Sequence, residues 1–142
     1  MDSEWAIENS SQRAANFHPD LVILGFGMND RCGMEEYRNK TGRLMEAIRK
    51  VSPKTEFLLI ASTLPNELAA TEPHHFWAHQ DEYSESLKGL ESMGVAIADI
   101  QAVQKEIGKR KRYIDITGNW LNHPNDYLAR ILAQVVIKTL GM

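Results

Sequence analysis

The chain has 142 residues, of which 43% are hydrophobic, and a formal net charge of −3 at pH 7. This length and apolar content allow one domain with a hydrophobic core and are too small for two ordinary domains, so we expect residues 1–142 to form a single domain. The acidic balance gives no electrostatic reason to expect nucleic acid as a partner, and no apolar run approaches the ~20 residues that span a bilayer.

The first half of the chain alternates helices with short apolar strands. A polar helix is expected from Ser3 to Phe17, and Pro19 ends it. The strand Leu21–Leu24 follows, and its wholly apolar sequence predicts burial on both faces. The next helix is amphipathic and stops at Ser52-Pro53. Its apolar positions are Met34, Tyr37, Leu44, Met45, Ile48 and Val51.

The second half continues this alternation. Glu56–Ala61 is predicted to be a second buried strand, and the loop from Ser62 to Pro73 is long enough to line a site. Val95–Ile100 is predicted as a third strand, followed by a short helix over Ile100–Lys109. A third helix is closed by Gly94, and its predicted buried positions are Phe76, Gln80, Tyr83, Leu87, Leu90 and Met93. A last helix begins near Asn125, and its predicted buried positions are Leu128, Ile131, Leu132, Val135, Val136 and Leu140.

This order of elements predicts an α/β fold with a parallel sheet between two layers of helices. Ligands of such folds bind at the carboxyl ends of the strands, where the first strand leads into Gly25, Gly27, Asn29 and Asp30. An asparagine on a glycine-relieved turn can aim its amide at a developing negative charge. The same residues are also typical of an ordinary tight turn.

A second candidate site lies near the C-terminus, at His123. Pro124 restricts His123 to an extended backbone, and Asn125 or Asp126 can cap the helix that follows. The histidine is therefore expected on a rigid loop. A histidine in such a place acts either as a proton-transfer group or as a structural residue.

Taken together, these blocks resemble the SGNH (GDSL-type) hydrolases, a flavodoxin-like α/β family of esterases, lipases and carbohydrate deacetylases. The resemblance is carried by PDLVILGFGMND at Pro19–Asp30 and NHPND at Asn122–Asp126. The LPN segment at Leu64–Asn66 and Tyr83 also look like the subgroup whose last block reads NHPND. The resemblance implies a three-layer flavodoxin-like fold, a small-molecule ester substrate, and no cofactor or metal ion.

The resemblance also implies roles for individual residues. By this likeness Asn29 donates to the oxyanion, Gly27 shapes its turn, and His123 is the general base for a serine. Asp30 and Ser62 are weaker candidates for contacts with the substrate. Thr63, which also follows the second strand, has the same two interpretations as Ser62: a pocket residue or an ordinary turn residue.

The nucleophile that such chemistry needs is not evident in the sequence. The family places it in a Gly-Asp-Ser block after its first strand. Asp2-Ser3 imitates that block, but no apolar strand precedes it and Ser3 enters a helix directly. The chain therefore resembles the C-terminal portion of a hydrolase without its first strand or strands. We expect Ser3 not to be a nucleophile and the chain not to show normal turnover.

The acid that would orient His123 is also unassigned. Many family members have an aspartate three residues before the histidine, where this chain has Trp120, and neither Asp115 nor Asp126 matches by position. The remaining alternatives are Asn122, Asn119 or a backbone carbonyl. Any of these would leave a Ser-His dyad, and such a loss lowers activity without abolishing the scheme.

Other reactive or aromatic side chains have less specific surroundings. Cys32 is expected to be a packed thiol and not a nucleophile. His75 and His79 have the spacing of two metal ligands on a helix, but no third ligand is indicated, so they and His74 are expected at the surface. The basic run Lys109–Tyr113 is expected to be a solvated helix end. Trp77 and Trp120 are suited either to packing or to stacking on a sugar.

The expected lack of preceding strands has a consequence for partners. It would leave the edge of the strand Leu21–Leu24 uncovered, and an apolar edge of this kind pairs readily with another chain. The sequence therefore predicts a homo-oligomer through that edge, and the alternative function is a non-catalytic, self-associating α/β domain. A flavodoxin-like phosphate binder is disfavoured because no glycine-rich phosphate loop is present. We expect a soluble chain, and the start Met1–Trp5, which lacks the features of a signal peptide, leaves its compartment open.

Overall fold

The structure, a computed structural model, describes residues 2–66 and 79–142. In these residues three strands form one parallel sheet in the order β1-β2-β3. They are β1 (Leu21–Gly25), β2 (Glu56–Ile60) and β3 (Val95–Ala98). Gly25 lies opposite Ile60, and Ile60 opposite Ala98, so the three strands end side by side. The predicted α/β fold with a parallel sheet is confirmed.

Five α-helices surround the sheet in the described part of the chain: α1 (Ser3–Arg13), α2 (Met34–Val51), α3 (Tyr83–Lys88), α4 (Ile100–Gly108) and α5 (Asp126–Thr139). Side-chain caps start three of them, because the first N–H groups of a helix have no partner within it. Asp2 caps α1, Asp99 caps α4 and Asn125 caps α5. None of the described helices is both long enough and apolar enough to pass through a membrane.

The helix boundaries differ from the predicted ones in two places. The predicted helix Ser3–Phe17 ends at Arg13 and continues as a 3-10 turn over Ala15–Phe17. The predicted third helix includes Phe76, which lies outside the described residues, and its described part ends at Lys88. Gly94 therefore does not close that helix. It has a φ of 73° in the turn that leads into β3, and Met93 beside it is 98% exposed instead of buried.

One face of the sheet packs against α1, α2 and α3. Alternate strand residues point to this face, as the two-residue period of a strand requires. The rings of Tyr37 in α2 and Tyr83 in α3 stack there with centroids 3.9 Å apart. The buried cluster includes Leu24, Phe57, Leu59 and Val95 from the strands and Tyr37, Leu44, Met45, Ile48, Tyr83 and Leu87 from the helices.

The other face of the sheet is only partly covered. Helix α5 packs on β3, and Leu58 and Leu128 are each 1% exposed. The other predicted core positions of α5, such as Ile131 and Val135, are only half-buried. Leu21 and Ile23 in β1 are 40% and 49% exposed, so the prediction that this strand is buried on both faces is wrong. In the described residues β1 is an edge strand, and α5 lies over the opposite edge.

The two faces of the sheet differ in burial, so truncating a side chain on each face should lower the free energy of unfolding by different amounts. We expect Leu59→Ala to lower the free energy of unfolding by about 2–5 kcal/mol, because Leu59 is 1% exposed and leaves a cavity. Ile23→Ala should cost less than about 1 kcal/mol, because that side chain is already half in water. Urea unfolding of both variants measures the difference. Equal costs would contradict the exposed position of Ile23.

Candidate active site

Three loops meet where the strands end. Ser62, just after β2, lies against Gly27, which follows β1: a Cβ added at Gly27 would be 3.2 Å from Ser62 Oγ. The neighbouring Thr63 Oγ1 donates a hydrogen bond to Asn122 O at 2.6 Å. The loop that carries Asn122 and His123 is therefore held beside the loop that carries Gly27. Parallel α/β folds bind ligands at this edge.

The turn after β1 requires glycine at position 27. Gly27 has a φ of 117°, which side chains other than glycine rarely adopt. A Cβ there would also lie 2.9 Å from Tyr83 Cδ2, closer than packed atoms normally approach. This close packing places the turn directly against α3. Asn29, two residues on, is exposed, as the predicted oxyanion donor must be to reach a substrate.

The side chain of Asp30 is buried under this turn. It is 2% exposed, and its carboxylate accepts hydrogen bonds from Gly27 N at 3.1 Å and Ser3 N at 3.2 Å. The Ser3 hydroxyl also donates to it. The N-terminus of α1 therefore faces the carboxylate, which suits the partial positive charge of a helix N-terminus. In place of the predicted contact with the substrate, the structure gives Asp30 the role of fixing the turn.

Two buried glutamines hold the same turn from the other side. Gln80 Nε2 donates to Gly27 O at 2.9 Å and to Met28 O at 2.8 Å. Gln101 Nε2 donates to Gln80 O at 2.6 Å and to Ser62 O at 2.8 Å. The apolar spacing predicts Gln80 on a buried helix stripe, without a role. A polar residue on such a stripe is itself a signal, because a buried amide must find partners.

Cys32 is packed behind the turn. Its thiol is 3.9 Å from Tyr83 Oη, and the Tyr83 hydroxyl donates to Cys32 O at 2.8 Å. Burial raises the pKa of the Cys32 thiol and also that of the Tyr83 phenol. A thiol that stays protonated is a poor nucleophile. The buried position agrees with the predicted packing role.

The loop before His123 is fixed by the segment that follows β2. Asn66 N donates to Leu121 O at 2.7 Å, and Asn66 Nδ2 donates to Trp120 O at 2.9 Å. The Tyr113 hydroxyl lies within hydrogen-bonding distance of Leu64 O, at 2.9 Å, and of Leu121 O, at 2.8 Å. Burial raises the pKa of Tyr113 to about 12. The LPN segment thus contributes the contacts that hold the histidine loop at this edge.

The imidazole of His123 projects from this loop into solvent. His123 is exposed, and within the described ranges its ring has no hydrogen bond to a carboxylate or a hydroxyl side chain. Asp115 pairs instead with Arg112 at 3.0 Å. Ser3 is 1% exposed, and Ser62 is 8% exposed. The candidate base is thus positioned through its loop, without an acid on the ring.

The remaining candidates lie apart from this edge or outside the described residues. His79 is exposed and pairs with Glu82 at 3.4 Å, whereas His74, His75 and Trp77 lie outside the described residues. Across residues 2–66 and 79–142 no group of three or more metal-ligating side chains comes together. The basic run Lys109–Tyr113 contains residues exposed at the end of α4, as predicted.

Comparisons with known proteins identify the fold. No family model and no curated protein matches the sequence. Among solved structures, a GDSL-like lipase from Parabacteroides merdae matches with a TM-score of 0.81 at 17% identity, over 99% of this chain and 69% of its own. The acetylxylan esterase Axe2 from Geobacillus stearothermophilus, solved as a D191A mutant, matches with a TM-score of 0.75 at 17% identity, over 100% of this chain and 68% of its own. The chain has the fold of these ester hydrolases.

A third neighbour extends the same likeness. A carbohydrate esterase family 3 protein from Talaromyces cellulolyticus has a TM-score of 0.73 at 16% identity, over 99% of this chain and 66% of its own. This chain therefore spans about two thirds of the length of each of the three neighbours. At such low identity the shared feature is the fold, and it confirms the flavodoxin-like α/β architecture.

The turn at Gly27 leads to a prediction about stability. Gly27→Ala should lower the free energy of unfolding by about 2 kcal/mol or more, because it combines an unfavourable φ with a clash against Tyr83. The matched control is Gly108→Ala at the end of α4, where a Cβ meets nothing within 4 Å. Alanine there should be neutral or stabilising by about 0.5–1 kcal/mol. Denaturant unfolding compares the two, and similar effects would contradict the packing of the turn.

Proposed function

We propose that this chain belongs to the SGNH (GDSL-type) ester hydrolases and contributes the oxyanion donor and the general base of their active site. The observation that carries the proposal is the meeting of two loops at one edge of the sheet. One loop presents Asn29 after the Gly27 turn, and the other presents His123. The segment after β2 joins them, because Ser62 lies against Gly27 and Thr63 is hydrogen-bonded to Asn122.

The chemistry of this pair is that of acyl transfer. Attack on an ester carbonyl places a negative charge on the carbonyl oxygen, and a fixed amide donor such as the Asn29 side chain stabilises that charge. A neutral imidazole at His123 takes the proton of the attacking hydroxyl and returns it to the leaving alcohol. Both side chains are exposed, whereas Asp30, Gln80 and Thr63, which help to hold their loops, are buried. This arrangement leaves the reactive groups accessible on a fixed frame.

The proposed substrates are acyl or acetyl esters, including esters of carbohydrates. Two of the structural neighbours are described as an acetylxylan esterase and a carbohydrate esterase. Trp120 supports a carbohydrate substrate because it lies three residues before His123 and is 48% exposed. An exposed indole beside the base offers a flat apolar face to a sugar ring.

A hydrolase site of this kind also needs a nucleophile. In the described part of the chain no serine or threonine hydroxyl bonds to the His123 ring, and Ser3 donates its hydroxyl to Asp30. We therefore propose that the chain binds the acid product of the reaction and does not turn over esters by itself.

Binding of acetate provides a test that does not depend on turnover. Titration of the 142-residue chain with acetate, followed by 1H–15N NMR, should give saturable shifts of the Asn29 side-chain amide and of the His123 signals. An acetate ion held by the amide donor beside the imidazole should move the Asn29 amide signals and the His123 ring signals together, with one dissociation constant. Asn29→Leu and His123→Ala should each weaken binding, whereas the control Asn9→Leu, on α1, should not.

Two results would contradict this proposal. One is the absence of saturable shifts at Asn29 and His123. The other is catalytic hydrolysis of p-nitrophenyl acetate that disappears on Ser3→Ala, since it would make Ser3 the nucleophile.

The second candidate function, a self-associating domain, is favoured by the edge of β1. Among the described residues β1 pairs only with β2, and Leu21 and Ile23 are exposed on the face of the sheet opposite the buried cluster. The strand sequence LVILG has no charged residue or proline, which are the usual protections against edge pairing. We propose that two copies pair antiparallel through β1 about a two-fold axis.

Sedimentation velocity over a range of concentrations tests this pairing. We expect a reversible dimer that Ile23→Lys weakens by at least tenfold, because the charge would be buried against the partner strand. Ile137→Lys on α5 is the matched control, since Ile137 is 48% exposed and Ile23 is 49% exposed. A chain that stays monomeric at the highest concentration, or an equal effect of the two lysines, would rule out the β1 edge.

A further inference from the structure

The loop that carries the candidate base is organised around one side-chain oxygen. Asn119 Oδ1 accepts hydrogen bonds from the N–H groups of Leu121, Asn122 and His123, each at 3.0 Å. Trp120 has a φ of 61°, a left-handed conformation that non-glycine residues adopt rarely. Successive N–H groups that converge in this way form a concave site for an electronegative atom. Here Asn119 occupies that site.

The backbone of His123 is held on both sides. Its N–H donates to Asn119, and its carbonyl oxygen accepts from Thr117 Oγ1 and from Gly118 N, each at 2.8 Å. Thr117 also pairs with Pro124 in an isolated bridge, which closes the loop into a narrow hairpin. The position and direction of the His123 Cα–Cβ bond therefore depend on the hydrogen bonds to its main chain.

We propose that Asn119 is the positioning residue of the candidate base, which it orients through the main chain in place of an acid on the imidazole. This inference depends on the proposed function, because it assumes that His123 is the base. Asn122, the other amide considered for this task, is 7% exposed, and its Oδ1 accepts from Asn119 Nδ2 at 3.3 Å. Asn122 thus supports Asn119 and has no hydrogen bond to the ring in the part of the chain described.

Two substitutions at Asn119 distinguish the effect of its Oδ1 hydrogen-bond acceptor from the effect of its size. Asn119→Asp keeps an oxygen at the Oδ1 position, and three N–H donors favour the ionised carboxylate. Asn119→Ala removes the acceptor. We expect hydrogen exchange of the Leu121, Asn122 and His123 amides to accelerate about tenfold in Asn119→Ala, the scale of one lost hydrogen bond. In Asn119→Asp it should stay near the wild-type rate.

A second measurement distinguishes positioning from mere stability. The acetate dissociation constant should rise several-fold in Asn119→Ala and return toward the wild-type value in Asn119→Asp. It is measured at high ionic strength, which screens the added charge of Asn119→Asp. Thr117→Val, which removes one of the two donors to His123 O, should give a smaller change in the same direction. It provides the comparison if Asn119→Ala does not fold.

The possible outcomes are distinct. Unchanged amide exchange in Asn119→Ala, or exchange that Asn119→Asp does not restore, would overturn the inference. Faster exchange with an unchanged acetate constant would reduce Asn119 to a structural residue, which also overturns it. A wild-type chain that does not bind acetate would overturn the proposed function instead, and the amide exchange would still decide whether Asn119 holds the loop.

Discussion

The buried carboxylate of Asp30 is the constraint on which the candidate site depends. Burying a carboxylate is costly unless hydrogen bonds compensate for lost water. Here the compensating donors are Gly27 N together with the main-chain N–H and the hydroxyl of Ser3. Asp30 therefore joins the start of α1 to the turn after β1. The turn cannot move outward without leaving these donors and the carboxylate unpaired.

The interior on the other side of the turn is also polar. Gln80 and Gln101 use both hydrogens of their amide groups on main-chain oxygens, which come from the loops after β1 and β2 and from Gln80 itself. Tyr83 stacks on Tyr37 and donates toward the same turn. Displacing the turn would leave the buried amide hydrogens of these glutamines without acceptors, so the network favours the observed arrangement. The network explains how an exposed Asn29 can have a defined position on a loop.

The two loops of the site are fixed by different means. The Asn29 loop is held by Ser3 at the start of α1, by Gln80 just before α3 and by Tyr83 in α3. The His123 loop is held by Asn66, by the Tyr113 hydroxyl and by Asn119. Ser62, which lies against Gly27, and Thr63, which bonds to Asn122, connect them. A shared fold alone does not establish a shared activity. The proposed ester chemistry is based on the position of the Asn29 and His123 loops at the edge where parallel α/β folds bind ligands.

Local sequence patterns were sufficient to predict most elements of the fold and to suggest the candidate pair Asn29 and His123. Apolar runs and helical periodicity located all three described strands, and the resemblance of the blocks around Asn29 and His123 to the SGNH hydrolases led to the proposed chemistry. Local patterns are sufficient for this because strand and helix periods are properties of neighbouring residues. They also misplaced the end of the third helix at Gly94 and predicted full burial of Leu21 and Ile23.

Only the tertiary structure decided the roles of Asp30, Gln80 and Asn119. The partners of Asp30 include Ser3, 27 residues away, and Gln80 bonds to Gly27, 53 residues away. No local period encodes such contacts, since they depend on which loops the folded sheet brings together. The same reason accounts for β1: whether a strand is buried on both faces depends on what packs over it, and in the described residues α5 covers the opposite edge of the sheet.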